Sequence, residues 1–170
     1  MTKLRKLEKQ DYEVISNAFT NIGWNKPVEL FERYFEEQLQ GLRFCFVAFC
    51  DDTFVGYTTL LKTSKYEYFA SGSIPEISDL NVLPNFRKQG IGTTLIKECE
   101  KIAKEFSDKI GLGVGLTADY ANALNLYLKL GYHFDNKGIA YCGRTLSYNQ
   151  SAIVDDELNL YLIKTWLLTS

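Results

Sequence analysis

Histidine and paired cysteines are scarce in this sequence, and their scarcity excludes whole classes of chemistry. The 170 residues include one histidine and four cysteines, at positions 45, 50, 99 and 142. Structural zinc sites and disulfide frameworks need closely spaced groups such as C-x-x-C, and no such spacing occurs here. The sequence therefore predicts no metal site and a reducing, cytoplasmic location.

Long apolar runs are also missing. The longest unbroken run covers residues 44–50, far short of the roughly 20 residues that span a bilayer, and it suits a buried strand. The first ten residues carry basic side chains with no apolar segment behind them, so they do not resemble a signal peptide. We expect neither membrane insertion nor export.

No excess of one charge is present. Nineteen basic and 21 acidic side chains give a net charge of −2, which provides no general attraction to nucleic acid or anionic lipid. Any phosphate binding must then be local.

The sequence has three scattered prolines and shows no repeat or linker, so residues 1–170 are predicted to form a single domain.

The pattern of apolar residues predicts an α/β protein with a mixed sheet and helices on both faces. The polar stretch 62–73 is expected to be a loop long enough to have a function. Helices are predicted to start near Asp11 and Pro27 and to cover residues 90–106 and 119–130. Strands are predicted at residues 4–7, 42–50, 54–61, 76–83, 110–116, 132–134 and 157–166, with further β structure in 138–146.

A glycine-bearing basic turn, residues 84–90, joins a predicted strand to a predicted helix. The main-chain amides at such a helix start and the positive end of its dipole favour phosphate, and Arg87 and Lys88 add charge. An ordinary glycine-containing loop remains an alternative, and a Walker A motif is absent. The second glycine cluster, at residues 111–115, lies inside a predicted strand, where glycine often marks close backbone approach.

Two blocks of this sequence resemble the GNAT N-acetyltransferases. Arg87-x-x-Gly90-x-Gly92, following a strand that ends Val82-Leu83-Pro84, is similar to the family's acetyl-CoA pyrophosphate loop. The second block is similar to the A-x-x-L-Y-x-K-x-G-[FY] segment that closes the family's core. Its matching residues here are Ala123, Leu126, Tyr127, Lys129, Gly131 and Tyr132.

The resemblance implies a splayed sheet in which strands 76–83 and 110–116 separate and admit the pantetheine arm of acetyl-CoA, the acyl donor. An asparagine common in the family is replaced here by Tyr120, and Asn122 is the candidate substitute. The residues that the resemblance assigns to cofactor binding are Leu80, Asn81, Val82, Arg87, Lys88, Gln89, Gly90, Ile91, Gly92, Thr93 and Asn122.

The resemblance also implies catalytic roles. Tyr127 takes the position of the acid that protonates the departing thiolate, its alternative being a core tyrosine that packs the helix against the sheet. Glu76 is the favoured base that removes a proton from the amine. A strand-edge carboxylate is the alternative for Glu76, and Asp79 is expected to anchor a turn or a substrate group. His133 lies outside the motifs and is expected to be a surface or packing residue.

The acceptor is predicted to be a primary amine of a small molecule, because no extended acidic groove for a protein tail is evident. The aromatic residues Trp24, Tyr34, Tyr66, Tyr68 and Phe69 and the acidic run 155–157 fit a pocket for a cationic amine, or equally a core and a solvated loop. A non-catalytic acyl-CoA sensor and a protein for another phosphate ligand are the competing functions. A monomer and a homodimer are both open.

Overall fold

The structure is a computed structural model that describes residues 1–166. Nine strands and five α-helices make up the fold, and two short 3₁₀ helices, Pro84–Phe86 and Ala118–Tyr120, precede the fourth and fifth of them within these residues. The helices are α1 (Asp11–Thr20), α2 (Val28–Leu39), α3 (Glu67–Ser71), α4 (Ile91–Ala103) and α5 (Ala121–Lys129). The strands are β1 (Thr2–Lys6), β2 (Arg43–Cys50), β3 (Thr53–Leu61), β4 (Glu76–Val82), β5 (Lys109–Gly115), β6 (His133–Phe134), β7 (Ala140–Tyr141), β8 (Arg144–Thr145) and β9 (Leu158–Thr165).

The strands form one mixed sheet in the order β1-β2-β3-β4-β5-β9-β7-β8, with β6 paired to β9. Strands β1 to β3 are antiparallel, β4 and β5 are parallel, and β9 runs antiparallel to β5. The predicted α/β fold with a mixed sheet flanked by helices is confirmed. The chain divides into two compact units, which we call unit 1 (residues 1–61 and 79–99) and unit 2 (residues 62–78 and from 100 onward).

Unit 1 has a core of aromatic and aliphatic side chains from α1, α2, β2 and β3. Tyr57 lies at its centre, edge-on to Phe19 and to Phe31 at ring-centroid distances of 5.8 and 5.3 Å, an arrangement that aromatic quadrupoles favour. The buried members are Leu7, Ile15, Phe19, Phe31, Tyr34, Cys45, Val47, Phe54 and Tyr57.

Unit 2 has a separate aromatic cluster beside β5 and β9. Tyr66 stacks on Tyr161 with 3.7 Å between ring centroids, and Phe69 meets the Tyr161 ring edge-on at 5.3 Å. Tyr66 and Phe69 are fully buried. These two residues explain why residues 62–73 are not the loop that the sequence predicted: helix α3 occupies Glu67–Ser71, and its burial rests on aromatic anchors within a polar stretch.

Other element boundaries differ from the predictions by a few residues. Helix α4 ends at Ala103 rather than at residue 106, and α5 begins at Ala121 because residues Ala118–Tyr120 form a 3₁₀ turn. The segment 138–146 is a hairpin of two two-residue strands. Among residues 1–166, no helix has the length and apolar character needed to cross a bilayer.

Candidate active site

The turn between β4 and α4 adopts a backbone that exposes main-chain amides. Lys88 and Gly90 have left-handed φ angles of 61° and 82°, and α4 then begins at Ile91. The amide of Thr94 donates to the Gly90 carbonyl at 3.0 Å. Helix geometry leaves the amides of the first turn without an intrahelical acceptor. An anion placed here meets those donors and the positive end of the helix dipole.

Arg87 braces this turn rather than only adding charge to it. Its Nε donates to the Val82 carbonyl at 3.0 Å, and its guanidinium lies 5.6 Å from the centre of the Trp24 ring. The side chain therefore connects the turn to the end of β4 and to the segment after α1. The Gln89 side-chain amide likewise bonds within the turn, donating to the Asn85 carbonyl at 3.3 Å.

Glu76 lies at the start of β4 in unit 2. The Ser64 hydroxyl donates to its carboxylate at 2.5 Å, and the side chain is half-buried. Among the described residues, the parallel ladder between β4 and β5 comprises two pairs, Glu76 with Gly111 and Ile77 with Leu112. Residues 80–82, which the resemblance assigns to cofactor binding, lie beyond this ladder.

Asp79 lies within β4 and has a left-handed φ of 56°, a conformation that most residues avoid and that Asp and Asn adopt more readily than others. Its carboxylate accepts hydrogen bonds from Lys26 at 2.6 Å, Tyr34 at 2.9 Å, Tyr57 at 2.5 Å and Asn81 at 2.8 Å. Burial raises the pKa of Asp79, but the charge and hydrogen bond of Lys26 and the tyrosine hydroxyls outweigh it, so that pKa is lowered. Because four donors bind this carboxylate, Asp79 is suited to the anchoring role that the sequence predicted for it.

We expect Asp79→Ala to lower the free energy of unfolding by about 3 kcal/mol at pH 7, because removing one partner leaves a part-buried ammonium and two phenols without their acceptor. A lowered carboxyl pKa stabilises the fold above the unfolded value of about 3.9, and that contribution is lost as the pH falls through the folded pKa. Urea unfolding at pH 7 and near pH 3 measures both effects. Asp119→Ala, at an exposed position, is the control, and a loss under about 1 kcal/mol for Asp79→Ala contradicts the anchoring role.

Tyr127 lies on α5 in unit 2 with 7% of its surface exposed. Burial raises its pKa to about 12, so the phenol is protonated at neutral pH. Its ring lies edge-on to the Tyr132 ring, 6.4 Å away, and its hydroxyl makes no hydrogen bond within residues 1–166. Since these residues contain no buried side-chain polar atom without a partner, the hydroxyl itself reaches the accessible surface. A buried phenol with its hydroxyl available to a ligand suits a proton donor.

Comparison with known families decides between the possible functions. The model of the acetyltransferase (GNAT) family matches residues 2–132, which includes the turn, β4 and α5. The chain belongs to the GNAT acetyltransferase family. It is an N-acetyltransferase whose acyl donor is acetyl-CoA, and the enzymes of this family acetylate amines.

Solved structures share the fold of this acetyltransferase at low identity. PaiA N-acetyltransferase from Thermoplasma acidophilum, in complex with coenzyme A, is 19% identical with a TM-score of 0.67, covering 98% of this chain and 99% of that one. Ribosomal-protein-alanine N-acetyltransferase from Brucella melitensis is 18% identical with a TM-score of 0.69, covering 96% and 99%. A chimera of spermidine N-acetyltransferase SpeG from Vibrio cholerae and hSSAT is 18% identical with a TM-score of 0.67, covering 96% and 95%. A search of curated proteins gave no match.

The other residues singled out in the sequence of the acetyltransferase differ in whether they form contacts within the protein. Asn122 is exposed in the first turn of α5. The Tyr120 hydroxyl donates to Asp156 at 2.7 Å. The residue at the family's usual asparagine position therefore has a hydrogen-bond partner within unit 2. His133 is exposed on β6. Residues 1–166 contain no group of three or more His, Cys, Asp or Glu side chains placed to hold a metal ion.

Sequence reasoning missed two groups of residues in this acetyltransferase. Lys26 and Tyr57 hold Asp79, although neither is marked by a motif. Tyr161 lies in the alternating stretch that becomes β9, where a tyrosine predicts only a strand. The one available signal was the glycine spacing of residues 111–115, which indicated that something approaches β5 closely.

Proposed function

We propose that this acetyltransferase transfers the acetyl group of acetyl-CoA directly to a primary amine of a small molecule, in a ternary complex. The observation that supports the proposal is Tyr127: the residue at the position of the family's acid has a buried, protonated phenol whose hydroxyl makes no hydrogen bond within residues 1–166. We further propose that residues 1–170 act as a single domain, since the family match runs through both units.

The turn before α4 holds the pyrophosphate in this proposal. The backbone amides of residues 88–93 supply the donors, because the helix start leaves them without intrahelical acceptors. Arg87 keeps the turn in place through Val82 and Trp24. The further residues proposed to contact the cofactor are Leu80, Asn81 and Val82 on β4 and Asn122 on α5.

In the proposed reaction the neutral amine attacks the thioester carbonyl carbon and forms a carbon–nitrogen bond. Collapse of the tetrahedral intermediate breaks the carbon–sulfur bond and releases the thiolate of coenzyme A. Glu76 accepts the proton that the nitrogen loses, and the Tyr127 hydroxyl donates to the thiolate. The products are an N-acetylated amine and coenzyme A, with no external oxidant or reductant.

The acceptor is a small molecule in this proposal. The partners of the protein do not include nucleic acid or membranes. A net charge of −2 provides no general attraction to either polyanion. The neighbours with this fold act on spermidine and on a ribosomal protein, so the fold is compatible with both acceptor classes. We expect the protein to work in the cytoplasm as a monomer or a homodimer.

Coenzyme A release tests the function. Wild-type protein with acetyl-CoA and a panel of small amines is expected to release coenzyme A far faster than without an amine. Glu76→Gln is expected to lower kcat about 100-fold near pH 7, because the amide keeps the size of the side chain and can still accept from Ser64 but cannot take a proton. Glu105→Gln, at an exposed position, is the matched control.

Three outcomes would each contradict a part of the proposal. Acetyl-CoA binding without coenzyme A release for any amine favours the non-catalytic sensor. Turnover of lysine peptides alone overturns the small-molecule acceptor but keeps the chemistry. A Glu76→Gln enzyme with wild-type kcat removes Glu76 from the role of base.

A further inference from the structure

The segment before α3 contacts the carboxylate that serves as the base in the proposed reaction. Ser64 is buried, with 5% of its surface exposed, and its hydroxyl donates to Glu76 Oε2 at 2.5 Å. An ionised carboxylate can only accept hydrogen bonds, and a donor to it favours the ionised form over the protonated one. The contact therefore favours the form of Glu76 that can take a proton.

A backbone amide fixes the position of the Ser64 hydroxyl. The amide of Tyr66 donates to Ser64 Oγ at 2.9 Å, and serine hydroxyls commonly bind the backbone at this two-residue spacing. A serine hydroxyl has one proton to donate and can accept at the same time. Ser64 accepts from Tyr66 and keeps its one proton for Glu76.

Tyr66 is held by residues of unit 2 that are distant in sequence. Its ring is fully buried and stacks on the Tyr161 ring at 3.7 Å between centroids. Its hydroxyl donates to Asp135 at 2.8 Å, and the amide of the next residue donates to the Gly143 carbonyl at 3.0 Å. These contacts fix the backbone on which the position of the Ser64 hydroxyl depends.

Helix α3 and strand β4 meet the same residue of β5. Glu76 is opposite Gly111 in the ladder between β4 and β5. A Cβ at Gly111 would lie 2.2 Å from the Phe69 ring of α3, so that ring packs directly on the strand there. The segment that carries Ser64 and the strand that carries Glu76 are therefore both fixed relative to β5.

We propose that Ser64 is a positioning residue of this acetyltransferase, whose hydroxyl holds the Glu76 carboxylate in one orientation and favours its ionised form. The inference rests on the proposed function, in which Glu76 is the base. Ser64 acts through Glu76 and exchanges no proton with the substrate. The inference also gives a function to the polar stretch 62–73, which the sequence marked as long enough to have one.

Ser64→Ala tests the role, because it removes the hydroxyl and adds no bulk. At saturating amine near pH 7, kcat is expected to fall about 10-fold, and the acid limb of the kcat profile to move up by about one pH unit, as the loss of one hydrogen bond to a charged group implies. Ser64→Thr keeps a hydroxyl and is expected to retain most of the wild-type kcat. Ser71→Ala is the matched control, at an exposed serine of α3 that donates to a backbone carbonyl, and is expected to leave kcat and its pH profile unchanged.

The neighbouring tyrosines do not titrate in the range of this profile. Burial, followed by the Glu76 carboxylate, raises the pKa of Tyr161. Burial, followed by the hydrogen bond to Asp135, raises the pKa of Tyr66. Both phenols therefore stay protonated between about pH 6 and about pH 9. The ionisation of the acceptor amine contributes equally to every variant when the same amine is used.

A double-mutant cycle with Glu76→Gln distinguishes this role from a merely structural one. In a Glu76→Gln enzyme, Ser64→Ala is expected to have little further effect on kcat, because no carboxylate remains for the hydroxyl to keep ionised. Independent losses would multiply instead. The Tyr66 amide loses its acceptor in Ser64→Ala, which lowers the melting temperature, but that loss by itself produces no coupling in kcat between the two positions.

The outcomes separate this inference from the proposed function. If Glu76→Gln lowers kcat but Ser64→Ala keeps the wild-type kcat and pH profile, the positioning role is overturned and Glu76 remains the base. Losses that multiply in the double variant also overturn it, because Ser64 then acts independently of Glu76. If Glu76→Gln keeps the wild-type kcat, the base of the proposed function fails and the positioning role fails with it.

Discussion

Gly90→Glu is expected to raise the dissociation constant for acetyl-CoA by about 100-fold or more, measured by isothermal titration calorimetry. Gly90 lies in the turn before α4, and a Cβ there meets no atom within 4 Å, so the new side chain fits. Its carboxylate would share the turn with the pyrophosphate. Two unit charges about 4 Å apart repel by about 4 kcal/mol at an effective dielectric constant of 20, which exceeds the 2.7 kcal/mol of a 100-fold change.

The control must introduce a glutamate at a glycine with a similar positive φ that lies outside the turn before α4. Gly41 has a φ of 71° close to the 82° of Gly90, and a Cβ there also meets open space. Gly41→Glu should therefore lower stability by a similar amount but leave acetyl-CoA binding intact. Gly90→Asn, a neutral residue that tolerates positive φ, should bind acetyl-CoA more tightly than Gly90→Glu. Equal binding by wild type and Gly90→Glu would remove the pyrophosphate from this turn.

The sequence predicted best those parts of the fold whose structure depends on residues close together in the chain. The predicted strand 76–83, the glycine turn and the predicted helix after it lie within one short stretch. The structure has β4 and α4 there, with boundaries shifted by at most three residues. The family assignment, which rested on that stretch and on the block around Tyr127, is confirmed. Local periodicity and turn chemistry suffice for such segments.

Contacts between distant residues could not be predicted in the same way. Lys26 and Tyr57 meet Asp79 across 53 and 22 residues of sequence, and no periodic pattern specifies such pairs. The left-handed backbone of Asp79 has the same origin, because tertiary hydrogen bonds hold a conformation that the residue does not favour by itself. Helix α3 was missed because two buried aromatics, rather than an amphipathic pattern, stabilise its five residues.

The glycines of β5 show how one pattern can be interpreted correctly and still incompletely. Their position inside a predicted strand indicated that another group approaches the backbone closely. The structure identifies the approaching groups as the rings of Phe69, Tyr161 and Tyr120. That Tyr161 is one of them depends on the register of β5 with β9, and register is fixed only when the strands pair.

Tyr127→Phe is expected to lower kcat by about 100-fold or more, within the range that a positioned proton donor contributes. The hydroxyl has no protein partner among residues 1–166, so its removal should leave the melting temperature and the acetyl-CoA dissociation constant near wild type. Coenzyme A release at saturating amine measures kcat. Tyr148→Phe, fully exposed, controls for the loss of a phenol elsewhere.

The pH profile tests whether Tyr127 stays protonated over the range in which the enzyme works. Burial raises the pKa of Tyr127 to about 12, so the protonated form persists throughout the neutral range and is lost only as the pH rises through that value. The alkaline limb of wild-type kcat should therefore not begin near pH 10, where an unperturbed tyrosine ionises. A Tyr127→Phe enzyme with kcat within about twofold of wild type would contradict the acid role, because a catalytic proton donor is worth at least about 100-fold, and would leave Tyr127 as a core residue of α5.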